Sequence, residues 1–398
     1  MSTITISQLP NSGALTGTEV VPVVQSDTTV KTTAQDIANL AGGIIAVGAG
    51  TCSTVRVGNN NTASGACSTV SGGSCNTASG GSYGGTTVGG GICNTASGCY
   101  STVGGGGGYY GGNTASGNNS TVGGGKNNTA SGCQSTVSGG SSNTSSGYYS
   151  TVGGGRSNTA SGNNSTVGGG RSNLSCNGYS TVSGGTSNKA LSSNSTVSGG
   201  GCNIACGGCS TVSGGTNNTA SNYFSTVGGG RCNTAGGNGP FGDTTVSGGR
   251  CNISNGYSST IGGGQFNTTS GNISTIGGGN TNTANGLSST IGGGSSNTAF
   301  GYCSTIGGGY LNTASGGCSV IGGGLGNTAS GVYSAILGGK SNNTNGCNAA
   351  MIVGFGITAD MCNTTFVNCL SIKNIPTSSL GLCNGMVFSC AGILRIVP

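Results

Sequence analysis

Val or Ile set among polar residues returns along the chain at a fixed interval, inside a phrase close to S-T-V/I-x-G. With that apolar residue as marker, the series runs Val55, Val70, Val88, Val103, Val122, Val137, Val152, Val167, Val182, Val197, Val212, Val227, Val246, Ile261, Ile276, Ile291, Ile306, Ile321 and Ile336. The step is 15 residues, except for 18 between Val70 and Val88 and 19 from Val103 to Val122 and from Val227 to Val246. A second phrase, N-T-A-S-G, lies between successive markers. Both phrases alternate inward and outward, the signature of short strands. Val or Ile and Ala point inward, Thr and Ser outward, and Gly at the strand ends lets the chain turn with positive φ. A repeat this short predicts an all-β fold, a parallel β-solenoid with 15-residue coils and two short strands per coil. The expected core is thin, one Val or Ile and one Ala per coil.

These paired segments, over residues 50 to about 350, resemble the head domains of trimeric autotransporter adhesins. The resemblance implies left-handed β-rolls packed as a homotrimer, intertwined or side by side. The chain shows no signal peptide, heptad stalk or C-terminal membrane barrel, so an autotransporter is not expected. The ends differ in texture from the repeats. "TEVVPVVQ" and "TTVKTT" read as strands and "AQDIANL" as a short helix, and this stretch resembles N-terminal modules of viral tail-fibre proteins. Near the C-terminus, residues 386–389 and 393–397 read as two strands around a turn at 390–392, similar to segments that close viral fibres. The expected organisation is an N-terminal attachment module at 1–47, a β-roll shaft at 48–350 and a C-terminal β cap or trimerisation module at 351–398.

Composition narrows the chemistry. Of 398 residues, 90 are Gly, 4% are charged and none is His or Trp. Collagen is excluded because Gly does not recur every third residue, and simple disorder because Val or Ile does recur on schedule. The acids are Glu19, Asp27, Asp36, Asp243 and Asp360. With no His and so few carboxylates, general acid–base catalysis has little to work with, and a polysaccharide depolymerase would need clustered carboxylates. The expectation is no enzyme, no cofactor and no metal. No run of about 18 apolar residues predicts a membrane span. The start, "MSTITISQLPNSG", lacks a basic and then apolar leader, which predicts synthesis in a cytoplasm.

A solenoid turns sequence period into spatial rows. Lys126, Arg156, Arg171, Arg231, Arg250 and Lys340 each stand four after a marker, forming either a basic stripe for an acidic partner or a solvated corner. The stripe lacks the aromatic interleaving expected for nucleic acid. Tyr100, Tyr148, Tyr149, Tyr179, Tyr223, Phe224, Tyr257, Tyr302 and Tyr333 stand three or four before a marker, fit to stack on sugars or to pack between chains. The three longer steps hold Gly-flanked bulges around Tyr83, around Tyr109 and Tyr110, and around Phe241, candidate receptor-binding loops. Rows of outward Thr resemble those of ice-binding solenoids.

Cysteine numbers 19. Cys52 and Cys67, Cys75 and Cys93, Cys232 and Cys251, and Cys303 and Cys318 fall on equivalent positions of neighbouring coils, close enough for inter-coil disulfides. Cys206 and Cys209 form a lone C-x-x-C without supporting His. Together these features predict a trimeric virion fibre, made in the host cytoplasm and held to a virion structural protein through its N-terminal module. It would attach to a host-surface glycan. An ice-binding solenoid and an extracellular filament subunit associating end to end are the alternatives.

Overall fold

A computed structural model describes residues 20–25, 28–33, 45–56, 58–81, 83–237, 242–371, 376–377, 384, 386–390 and 393–396. The described residues are all-β, with no helix, and form a parallel β-solenoid of about 21 coils with two short strands per turn. The chain divides into two units, Met1–Asn217 and Asn218–Pro398.

In the first unit the marker strands pair in parallel from coil to coil, for example Thr121 with Thr136 and Val122 with Val137. The N-T-A strands do the same, Thr129 with Thr144 and Ala130 with Ser145. Two insertions leave both ladders in register, since Thr87 still pairs with Thr69 and Thr121 with Thr102. The first coil is closed by a short strand, Ile45–Val47, running antiparallel to Thr54–Arg56. That strand covers a sheet edge that would otherwise invite pairing. The two strands expected here are present as Val20–Gln25 and Thr28–Thr33, and they pair antiparallel. The helix expected at 34–40 lies outside the described residues.

The second unit repeats the same ladders, from Thr226 with Thr245 to Ile321 with Ile336. Its marker sheet runs past the boundary expected at 350. Met351–Phe355 pairs in parallel with Ala335–Lys340, and Thr365–Val367 with Met351–Phe355. Val387–Cys390 and Ile393–Ile396 form an antiparallel hairpin.

The interior corrects one expectation. Val122 and Ala130 are fully buried, but so are Ser120 and Asn128, and the same four rows recur in coil after coil. Half the core is therefore polar. The Asn row makes this workable because it forms a ladder. Asn128 Nδ2 donates to the carbonyls of Gly124 at 2.8 Å and Gly140 at 2.9 Å, and its Oδ1 accepts from the Asn143 N–H at 3.0 Å. Each buried amide thereby ties its own corner to the next coil, which is how a buried polar group avoids its desolvation cost. Where a hydroxyl replaces Ala in its row, the neighbouring Ser bonds it. Ser145 meets Ser150, Ser175 meets Ser180 and Ser254 meets Ser259, each at 2.7 Å.

Turning also departs from the glycine-only expectation. A regular coil such as the one after Val122 uses three left-handed residues, Gly125 at φ +88°, Asn127 at φ +56° and Gln134 at φ +56°. The first position is Gly, whereas the other two carry residues as varied as Asn, Gln, Ser, Thr, Cys, Tyr, Phe, Leu and Ile. Ile273, at φ +56° and exposed, is the costliest of these because its branched Cβ crowds the backbone. Ile273→Asn is expected to stabilise the chain by about 1 kcal/mol, read as a higher urea midpoint at unchanged slope.

Candidate interaction surfaces

The coils present two surface corners. One follows the marker strand and is stitched by single parallel bridges, Lys126 to Ser141, Ser141 to Arg156 and Arg156 to Arg171 in the first unit. In the second unit Arg231 bridges to Arg250, and Lys340 stands apart, bridged to Leu325. All six cations are exposed and do share one corner position, but neutral side chains such as Ser141, Thr186 and Asn280 interrupt them. Arg250 lies over the Phe266 ring, 5.7 Å from its centroid, a cation–π contact that orients the guanidinium.

The other corner precedes the marker strand and carries the aromatics. Tyr100, Tyr148, Tyr149 and Tyr179 stand there in the first unit, and Tyr223, Phe224, Tyr257, Tyr302 and Tyr333 in the second, all exposed. Tyr148 and Tyr149 meet edge to face at 4.3 Å, and Tyr223 and Phe224 at 5.0 Å. Their adjacency comes from the backbone, since Tyr149 and Phe224 occupy the left-handed corner residue. The hydrogen bond between the two phenols holds Tyr148 above its ordinary pKa, and a bond to Cys303 does the same for Tyr302.

The insertions separate between these corners. The loop with Tyr83 enters between Thr77–Ala78 and Thr87–Val88, on the aromatic corner, where Tyr100 lies against Gly85. The loop with Tyr109 and Tyr110 follows Thr102–Val103, on the basic corner, with Gly108 against the Lys126 side chain. Tyr109 and Tyr110 are 82% and 93% exposed, so neither packs on its own chain. The third insertion begins on the aromatic corner, where Asn222 Nδ2 donates to the Gly237 carbonyl at 3.2 Å. Phe241 itself lies outside the described residues.

The cysteines Cys52, Cys67, Cys75, Cys93, Cys232, Cys251, Cys303 and Cys318 are free thiols, each at a left-handed corner residue. Cys75 and Cys93 are close enough for their side chains to hydrogen-bond. Partial burial, then the neighbouring Cys75, push the Cys93 thiol above its ordinary pKa. A raised pKa leaves less thiolate near neutral pH, and the thiolate is the reactive species. Alkylation of Cys93 is therefore expected to accelerate at a higher pH in the folded chain than in the urea-unfolded chain. Cys75→Ser should move that profile back down, measured by mass spectrometry of the labelled peptide.

Among the described residues, no group of three or more His, Cys, Asp or Glu could hold a metal ion, and no helix is long and apolar enough to cross a membrane. Comparison with protein-family models and with curated proteins gives no match. The residues that sequence reasoning missed are the buried Asn row, which ties the basic corner from coil to coil, and the buried Ser row that precedes the marker strands. Their signal was the unvarying Asn six residues after nearly every marker, beside a neighbour that changes freely.

Proposed function

We propose that the protein is a structural fibre of a virion, a homotrimer of left-handed solenoids that attaches to host-surface glycan by many weak contacts. The observation that carries this reading is the exposed aromatic corner. Exposed tyrosines recur there on the coil repeat, and aromatic faces stack on sugar rings. Contacts of this kind gain strength through avidity rather than through one deep pocket. Association of chains is supported by the thin, half-polar core. It is also supported by glycines such as Gly169, Gly184 and Gly199, beyond which a Cβ would meet nothing within 4 Å of its own chain. The virion setting, with assembly after synthesis in the host cytoplasm, rests on the resemblance of the terminal segments to fibre modules. The N-terminal segment then joins the virion.

The test is binding of the native protein to immobilised host-cell glycans, compared with a variant carrying Tyr83→Ala, Tyr100→Ala, Tyr148→Ala, Tyr149→Ala and Tyr179→Ala. A loss of at least tenfold in apparent affinity, with an unchanged unfolding curve, is expected, because five stacking contacts act together. Equal binding by both proteins contradicts the aromatic-corner reading.

One observation favours a second reading. In the first unit the outward Thr row of the marker sheet is unbroken from Thr54 to Thr211. That regular hydroxyl array suits an ice-binding face. Thermal hysteresis in a freezing assay would support it, and its absence leaves the fibre reading standing.

A further inference from the structure

The solenoid of the second unit ends unevenly. Its marker sheet continues through Thr365–Val367, but the second row of strands stops at Thr328–Ala329. Beyond that point the ladder is reduced to single bridges, Thr328 to Asn343 and Asn343 to Thr358. Two cysteines stand where the second row is lost. Cys347 and Cys362 lie on successive turns, each just before the residues joined by the Asn363 N–H to Asn348 carbonyl bond, and are close enough for Cys362 to influence the Cys347 thiol. The surrounding backbone holds these turns together. The Asn363 N–H donates to the Asn348 carbonyl at 2.9 Å, Cys347 Sγ to the Ala359 carbonyl at 3.8 Å, and Asn345 Nδ2 to the same carbonyl at 3.3 Å. The two cysteines stand 15 residues apart, one regular repeat step, although the marker steps here are irregular, from Ile336 to Ile352 to Phe366.

We propose that Cys347 and Cys362 form a redox modification site, a reversible disulfide that staples the terminal coils where strand pairing gives out. With a disulfide such as oxidised glutathione as oxidant, the Cys347 thiolate attacks one glutathione sulfur and releases a glutathione thiolate. The Cys362 thiolate then attacks the mixed disulfide at Cys347 and releases the second. Two protein thiols are oxidised, one glutathione disulfide is reduced to two thiols, and the two protons end on glutathione or solvent. Cys347 is part-buried and Cys362 exposed, so the pair is open to a small oxidant. Burial, Cys362 and Asp360 all raise the Cys347 pKa, so the reaction quickens as pH rises above neutral.

The native full-length chain is treated with oxidised glutathione and digested without reduction, and linked peptides are identified by mass spectrometry. The Cys347–Cys362 link is expected to form at least about tenfold faster than in the urea-unfolded chain, because the fold holds the thiols in place. Hydrogen exchange, compared between oxidised and reduced protein of the same sequence, should slow severalfold at residues 351–355 and 365–367. This comparison needs no variant that must fold. Cys347→Ser should abolish both effects. A link from Cys362 to Cys369 in its place, no link in the native chain, or a link that leaves exchange unchanged overturns the proposal.

Discussion

Gly170→Ala is expected to cost about 4 kcal/mol or more and to split the first unit's solenoid at that coil. Gly170 sits at φ +86°, and a Cβ there would lie 2.1 Å from the Gly185 carbonyl oxygen and 2.7 Å from Asn173 Nδ2. Left-handed strain alone costs about 1–2 kcal/mol. The larger part comes from the struck carbonyl, which accepts from both the Arg171 N–H and Asn173 Nδ2. Moving it away breaks a corner bridge and a rung of the amide ladder together. The neighbouring Gly169 provides the control. A Cβ at Gly169 meets nothing within 4 Å, so Gly169→Ala should change stability by less than about 1 kcal/mol. Urea unfolding followed by circular dichroism measures both. Similar midpoints for the two variants would contradict the tight coil spacing on which the fold rests.

Removing the amide itself should be comparably severe. Asn173 is buried, donates to the carbonyls of Gly169 at 2.7 Å and Gly185 at 2.9 Å, and accepts from the Asn188 N–H at 2.9 Å. Asn173→Ala leaves the Asn188 N–H and the Gly169 carbonyl without those partners and opens a void, an expected loss of about 3–5 kcal/mol. Asn173→Asp adds a pH signature. Burial disfavours the charged carboxylate, so its folded pKa would rise above the unfolded value of about 3.9. The folded state then holds its proton more tightly. Stability of this variant should therefore fall as pH rises from about 4 through the raised folded pKa, while the native chain shows no such decline there. A variant equally stable at pH 4 and pH 7 would contradict the buried ladder.

Much of this architecture can be read from the chain because each coil repeats one message. The alternation around Val122 and Ala130 identifies strands, and the 15-residue step identifies their stacking. The polar half of the core was hidden because Asn and Ser before a turn read as loop residues. Only the fixed recurrence of Asn128 and its equivalents, next to the freely varying residue before them, shows that this side chain points inward. The left-handed corners were hidden for a different reason. Tyr149, Phe224 and Ile273 are not residue types that favour positive φ, and stacking of neighbouring coils imposes the conformation on them. The basic and aromatic rows were visible as positions. That the Tyr109 loop passes Lys126 at Gly108, while the Tyr83 loop passes Tyr100 at Gly85, is a contact only the folded coils show.

The proposed fibre depends most directly on association of chains. Light scattering on the purified full-length protein, with reductant present so that no intermolecular disulfide contributes, measures the mass of the particle in solution. A mass three times that of the 37.5 kDa chain, unchanged on dilution, is the predicted result. A mass of one chain would contradict it.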